Sequence, residues 1–251
     1  MKKTLELTNF RVLYHPISTL GFILVLNILV LGCNNERVLE LPEIENTDIT
    51  EVLDVSPAYI FYDETQPDST LFNRKNLIGT TNWLVNVDKR LTLRQAIPHI
   101  QYLQEKRKKK SMHENEDAKN YFTCNDKSIK NLGFVEFTKV NYITDIDSYD
   151  IDSYKNNNPV DHDKRTVYIH FFDSDVFIVD EYFENKPVKN VGYEMEQYFN
   201  FDYFSSYRNQ KSMINLSFDK RMSFQKYLKI KVGLLNFING KSAISDEEFI
   251  Y

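Results

Sequence analysis

The sequence predicts an α+β protein built from two small sheet-and-helix modules, and three observations carry this. In each half, apolar residues alternate with polar ones over a strand-length run and then switch to helical spacing. The switch carries the same Asp-Lys-Arg both times, three identities in seven, as Val87-Asp-Lys-Arg-Leu-Thr-Leu93 and Phe218-Asp-Lys-Arg-Met-Ser-Phe224. Between the halves lies a polar stretch, 144–164, in which Asp145-Ile-Asp-Ser-Tyr149 repeats at once before Lys155-Asn-Asn-Asn-Pro159. Self-similarity of this kind marks related modules, here bounded as 53–143 and 165–251. A hydrophobic content of 42% is ample for packed cores, and a net charge of -5 argues against nucleic-acid binding, which needs a concentrated basic face.

Before the modules, residues 1–32 read as a processing signal. Lys2, Lys3 and Arg11 supply positive charge, and an apolar run from Ile17 to Gly32 ends directly at Cys33. Val30-Leu-Gly-Cys33 resembles the lipobox of bacterial lipoproteins. That resemblance implies cleavage before Cys33, diacylation of its sulfur and a bilayer as partner. Acyl chains contribute ~0.8 kcal/mol per buried methylene, and two of them anchor a folded domain stably. The competing expectation is an uncleaved membrane helix. Either way the modules lie on the non-cytoplasmic side, in the cell envelope. Lipidation of Cys33 leaves Cys124 as an unpaired, small buried residue. Residues 33–52, polar and acidic, read as a flexible tether.

In the first module, Tyr59–Tyr62 is a short aromatic strand, followed by a turn-rich stretch from Asp63 to Asn82. Trp83, Val85 and Val87 form the next strand, and Asp88-Lys-Arg90 the turn after it. Thr92 caps a helix whose apolar stripe is Leu93, Ala96, Ile97, Ile100 and Leu103. Pro98 falls in its first two turns, where proline costs least. The basic run Lys106–Lys110 reads as a solvated helix end favoured by the macrodipole, or as a contact for anionic lipid. Tyr121–Thr123 and Phe134–Thr138 complete the module as strands.

In the second module, Val167–Phe172 and Val176–Val179 flank Asp173-Ser-Asp175 as a hairpin. Glu184–Pro187 is read as a turn leading into a helix through Val191, Met195 and Tyr198. Ile214, Leu216 and Phe218 alternate as a strand, Asp219-Lys-Arg221 turns, and Ser223 opens a helix with Phe224, Tyr227, Leu228 and Leu235. Phe249–Tyr251 is a closing strand.

This succession in 165–251 resembles the periplasmic domain of the ExbD/TolR family, and 59–140 does so less distinctly. The family resemblance implies a compact, dimerising binding domain associated with proton-driven envelope transport. The family's membrane helix carries an essential aspartate. Here the apolar segment holds Asn27 and no acid, so the motor role does not carry over.

No Gly-x-Ser-x-Gly, His-Glu-x-x-His or phosphate-binding glycine loop is present, and no cofactor or metal is expected. His99 lies on a helix without an i+4 ligand, His113 in a charged loop, and His170 on a strand. Asp161-His162-Asp163 would be the site of an alternative envelope hydrolase or metal-dependent enzyme. The alternating carboxylates of 145–152 suggest calcium but lack the glycine and terminal glutamate of an EF-hand loop. The favoured expectation is a non-catalytic binding or scaffolding module that contacts another envelope protein, peptidoglycan or its own copy. Its candidate contact residues are Asp88, Lys89 and Arg90 with Asp219, Lys220 and Arg221, beside sheet edges open to strand addition.

Overall fold

A computed structural model describes residues 37–109, 115–144, 165–184, 186–195, 211–237 and 242–251. The chain is α+β, with two mixed sheets, each carrying one long helix among the described residues. Leu39–Tyr251 forms one unit; Met1–Val38, including Cys33, lies almost wholly outside the described residues.

The first sheet contains β1 (Glu43–Ile44), β2 (Val55–Tyr62), β3 (Thr70–Asn73), β4 (Asn82–Val87), β5 (Asn120–Asp126) and β6 (Asn131–Glu136). Its order is β1-β5-β4-β2-β3, with β6 antiparallel to β5. Because β6 pairs the whole of Tyr121–Asp126, β4 and β1 share the opposite edge of β5, one after the other. Helix α1 (Leu93–Lys108) connects the parallel strands β4 and β5. Its expected apolar stripe is buried, and Gln95 Oε1 accepts from both the N–H and the hydroxyl of Thr92.

The second sheet runs β10-β9-β8-β11-β12-β7. It is formed by β7 (Asn141–Ile143), β8 (Arg165–Phe171), β9 (Val176–Phe183), β10 (Lys186–Glu194), β11 (Ser212–Phe218) and β12 (Ala243–Ile250). Helix α2 (Phe224–Phe237) joins the parallel strands β11 and β12. The β8–β9 hairpin turns where expected, with Asp175 at φ 58°.

Several expectations change. The segment read as a turn into a helix through Val191 and Met195 is strand β10 instead. Its backbone follows β9 from Lys186 to Glu194, and that ladder outweighs the helical spacing of its apolar residues. Tyr198 lies outside the described residues. Part of the stretch read as a tether is built into the sheet: β1 pairs with β5, and Ile44 is buried. Strand β3 occupies the stretch read as turns, and the closing strand starts at Ala243. Arg107, inside the run read as a solvated helix end, stacks 3.8 Å from the Trp83 ring centroid and donates to Asn120 Oδ1 at 3.0 Å and Thr81 O at 3.1 Å. Burial pulls its pKa down to about 10. Its neighbour Lys108 is exposed and pairs only with Glu105 among the contacts seen for it. Cys124 is buried, as expected, and burial pushes its thiol well up.

The halves interlock. Strand β7, the last stretch of the segment 53–143 read as the first module, is instead an edge of the second sheet. Around Thr92 and Ser223, which pair antiparallel, the hydrogen bonds are reciprocal. Leu93 N donates to Met222 O at 2.9 Å while Phe224 N donates to Leu91 O at 2.7 Å. Arg94 N donates to Lys220 O at 2.8 Å while Gln225 N donates to Lys89 O at 3.3 Å. Each pair is related by one constant sequence offset, so the matching segments meet about an internal two-fold axis. One apolar core runs through both halves, with Phe224 edge-on to Phe122 across the axis.

Candidate functional site: a charged cleft beside the first Asp-Lys-Arg turn

The two Asp-Lys-Arg turns have the same construction. Each aspartate ends a strand and donates its N–H to the neighbouring strand, Asp88 to Ile60 O and Asp219 to Phe171 O, both at 2.9 Å. Each carboxylate turns back on the arginine two residues on. Asp88 accepts from Arg90 Nε at 2.8 Å and Nη2 at 2.7 Å; Asp219 accepts from Arg221 Nε at 3.0 Å and Nη2 at 2.5 Å. Burial alone would raise both aspartate pKa values, but the bonds from arginine outweigh it and both are lowered. The carboxylates are thus buried and engaged, while Lys89, Arg90, Lys220 and Arg221 face outward to differing degrees. The reciprocal bonds through Lys89 and Lys220 bring the two turns together as neighbours across the two-fold axis.

One of them opens onto a cleft of about 820 Å³. Helix α2 supplies its floor through Gln225, Lys229, Val232, Gly233 and Asn236, spaced to share one helix face. Strand β1 and the loop after it form one wall, and Lys89, Arg90 and Lys127 form the rim. Gln225 closes the wall: its side-chain Oε1 accepts from Glu43 N at 2.8 Å and its Nε2 donates to Glu43 O at 2.7 Å. Asn236 Nδ2 does the same for Asn46 O at 2.9 Å. The β1 edge beside the first turn, expected to be open to strand addition, is therefore occupied at these positions by side-chain amides. Across the rim, Glu43 bridges Lys89 at 3.3 Å and Lys127 at 3.4 Å, and Glu40 pairs with Lys89 and Arg90, both at 3.3 Å. The hydrogen bonds from Lys89, then Lys127, lower the Glu43 pKa.

Two polar clusters were not legible in sequence. Ser217 Oγ lies 2.6 Å from His170 Nδ1, and His170 Nε2 lies 3.2 Å from Asp180 Oδ2, across adjacent strands β11, β8 and β9. The order is that of a serine–histidine–aspartate relay, but with the two ring nitrogens exchanged, since there the serine meets Nε2 and the aspartate Nδ1. However, Ser217 is 2% exposed and sits within a regular strand, so its hydroxyl is not presented to a substrate. The second cluster is buried between β7, α2 and β12. Tyr142 and Tyr227 hydroxyls lie 3.0 Å apart, Tyr227 donates to Glu248 at 2.6 Å, and Lys231 pairs with Glu248. A hint existed, since Tyr227 and Lys231 are i and i+4 on one helix face. His99 packs against Phe72, with ring centroids 4.8 Å apart, and burial lowers its pKa. His113 and Asp161-His162-Asp163 lie outside the described residues, as do the acidic repeats at 145–154. Among the described residues, no group of three or more His, Cys, Asp or Glu side chains forms a metal site, and no helix is long and apolar enough to cross a membrane.

No family model matches this chain, and neither curated proteins nor solved structures give a match.

Proposed function

We propose that this chain is a lipid-tethered, non-catalytic binding module of the bacterial cell envelope, anchored through Cys33, with two ExbD/TolR-like periplasmic modules joined about an internal axis. The observation that carries the binding reading is the cleft at that axis. Its walls combine groups from both halves, and its chemistry is that of recognition: ammonium groups, side-chain amides and one bridging carboxylate. The family likeness rests on the succession of strands, turn and helix read in 165–251; the repeated strand–turn–helix–strand order supports only that the two halves are related modules. The tether reading rests on the lipobox-like Val30-Leu-Gly-Cys33.

The test is intact mass of the protein purified from membranes, beside a Cys33→Ala variant. Cleavage before Cys33 with an added diacylglycerol, both lost in the variant, is the expected result. A full-length unlipidated product from both would refute the tether.

A further inference from the structure

We infer that the end of the first sheet remote from the Asp-Lys-Arg turn is a docking face for a second copy of this chain, centred on Leu53, Val55 and Ile78. The inference deepens the binding-module reading by naming its partner, and rests on it. Strands β2 and β4 run parallel from this end towards the turn. The six residues of β4, at about 3.3 Å each, put roughly 20 Å between the two. The face is therefore separate from the contact that joins the halves inside one chain.

Hydrogen bonds gather the face from three stretches. Asn82 donates to Leu53 O through Nδ2 at 2.8 Å and to Asp54 O through its backbone N–H at 2.9 Å. Ile78 N donates to Ser56 Oγ at 3.0 Å, which ties the loop before β4 to the start of β2. Arg107, in the last turn of α1, donates to Gly79 O at 3.3 Å and Thr81 O at 3.1 Å. Leu53, Val55 and Ile78 are 72%, 41% and 56% exposed. One apolar side chain in water is ordinary, but three gathered on one end of a sheet form a patch, and such patches mark contact sites.

The rim decides the occupant. Lys106 and Lys109 stand at the end of α1, and Glu51 and Asp54 on the segment entering β2. All four are exposed, and none has an ion-pair partner among the described residues. A nucleic acid or an anionic bilayer would meet Glu51 and Asp54 as like charges. A second copy meets them with its own lysines: under a two-fold axis through the apolar centre, the cations of one chain face the carboxylates of the other. An apolar centre inside a charged rim is also how protein interfaces are built.

The experiment is sedimentation equilibrium of the full-length protein in density-matched non-ionic detergent, over a range of concentrations. A reversible dimer is expected, weakened about tenfold or more by Leu53→Asp combined with Ile78→Asp. Lys106→Glu with Lys109→Glu should weaken it as well. Adding Glu51→Lys and Asp54→Lys to that pair should restore it, because reversing both sets leaves the self-match intact. All of these side chains are exposed, and the rescue by the fourfold variant shows directly that the weakened one was folded. A monomer at every concentration overturns the inference, as does a dimer indifferent to the patch or unrescued by the reversal. A monomer that binds dihexanoyl phosphatidylglycerol through Lys106 and Lys109 assigns the face to a lipid surface and overturns it too. An unlipidated chain that dimerises removes the tether reading alone; a lipidated chain that stays monomeric removes this one alone.

Discussion

Arg107 shows how much a single side chain contributes when its surroundings replace water. Its guanidinium is held between the Trp83 ring, the backbone carbonyls of Gly79, Thr81 and Lys119, and the Asn120 amide, and so pins the end of α1 to β4 and β5. Arg107→Ala should lower unfolding stability by about 2 kcal/mol, since a desolvated cation–π contact and several carbonyl acceptors are lost. Arg107→Lys should recover under half, because a point charge cannot span those acceptors. Urea denaturation followed by the fluorescence of Trp83, the single tryptophan, measures both. The signal was present in sequence, as Arg107 continues the stripe of Leu93, Ile97, Ile100 and Leu103, but a run of five basic residues hid it. Gly133 makes a second residue-level prediction. A Cβ there would sit 2.4 Å from Thr47 Oγ1 and 3.1 Å from Asp126 Cβ. Gly133→Ala should cost about 1–3 kcal/mol by overpacking. Adding Thr47→Ala should return part of it, which a double-mutant cycle would read as coupling.

Strand and helix assignments were legible where burial imposes a period, and illegible where it does not. Strands β4 and β11 alternate in burial over their first four residues, β8 is buried over most of its length, and α1 carries its expected stripe, whereas Leu235 of α2 is exposed. Strand β10 is an edge strand exposed along nearly its whole length, so it has no alternation to read, and Val191 and Met195 fell by chance at helical spacing. Strands β1 and β7 are two and three residues long and exist only through partners distant in sequence. What fastens β7 to the second sheet is the buried Tyr142–Tyr227–Glu248–Lys231 network. Glu248→Gln should cost about 3–5 kcal/mol, because it leaves the Lys231 ammonium buried without its counter-charge. Pairing it with Lys231→Met should restore most of that loss, and equal losses in the single and double variants would refute the ion pair's role. Thermal melts of the two variants decide it.

At the scale of the whole molecule, acid is the predicted weakness. Asp88, Asp126 and Asp219 are buried, and burial would raise their pKa values. Bonds from Arg90 and Glu40, from Thr47 and Ser128, and from Arg221 reverse this and hold all three below the ordinary range. A carboxylate depressed in the folded state contributes stability above its unfolded pKa of ~4 and loses it as pH falls through the folded value. Unfolding stability should therefore be flat above about pH 5 and drop steadily below pH 4. Asp126→Asn should make that drop shallower, as denaturation midpoints across pH would show. The cleft lay beyond sequence reasoning because its lining comes from four stretches that only the two-fold contact gathers. Its turn residues Lys89 and Arg90 were legible; Lys127, Lys229 and Gly233 were not, since nothing local marks them. That axis also changes what mutation can do. In a symmetric pair of identical chains every substitution arrives twice, so neither side can specialise alone. Here both sides are written separately in one gene product, and each can drift without obliging the other to follow. Tyr102 in one half and Gly233 at the related position of the other are an instance of such a difference.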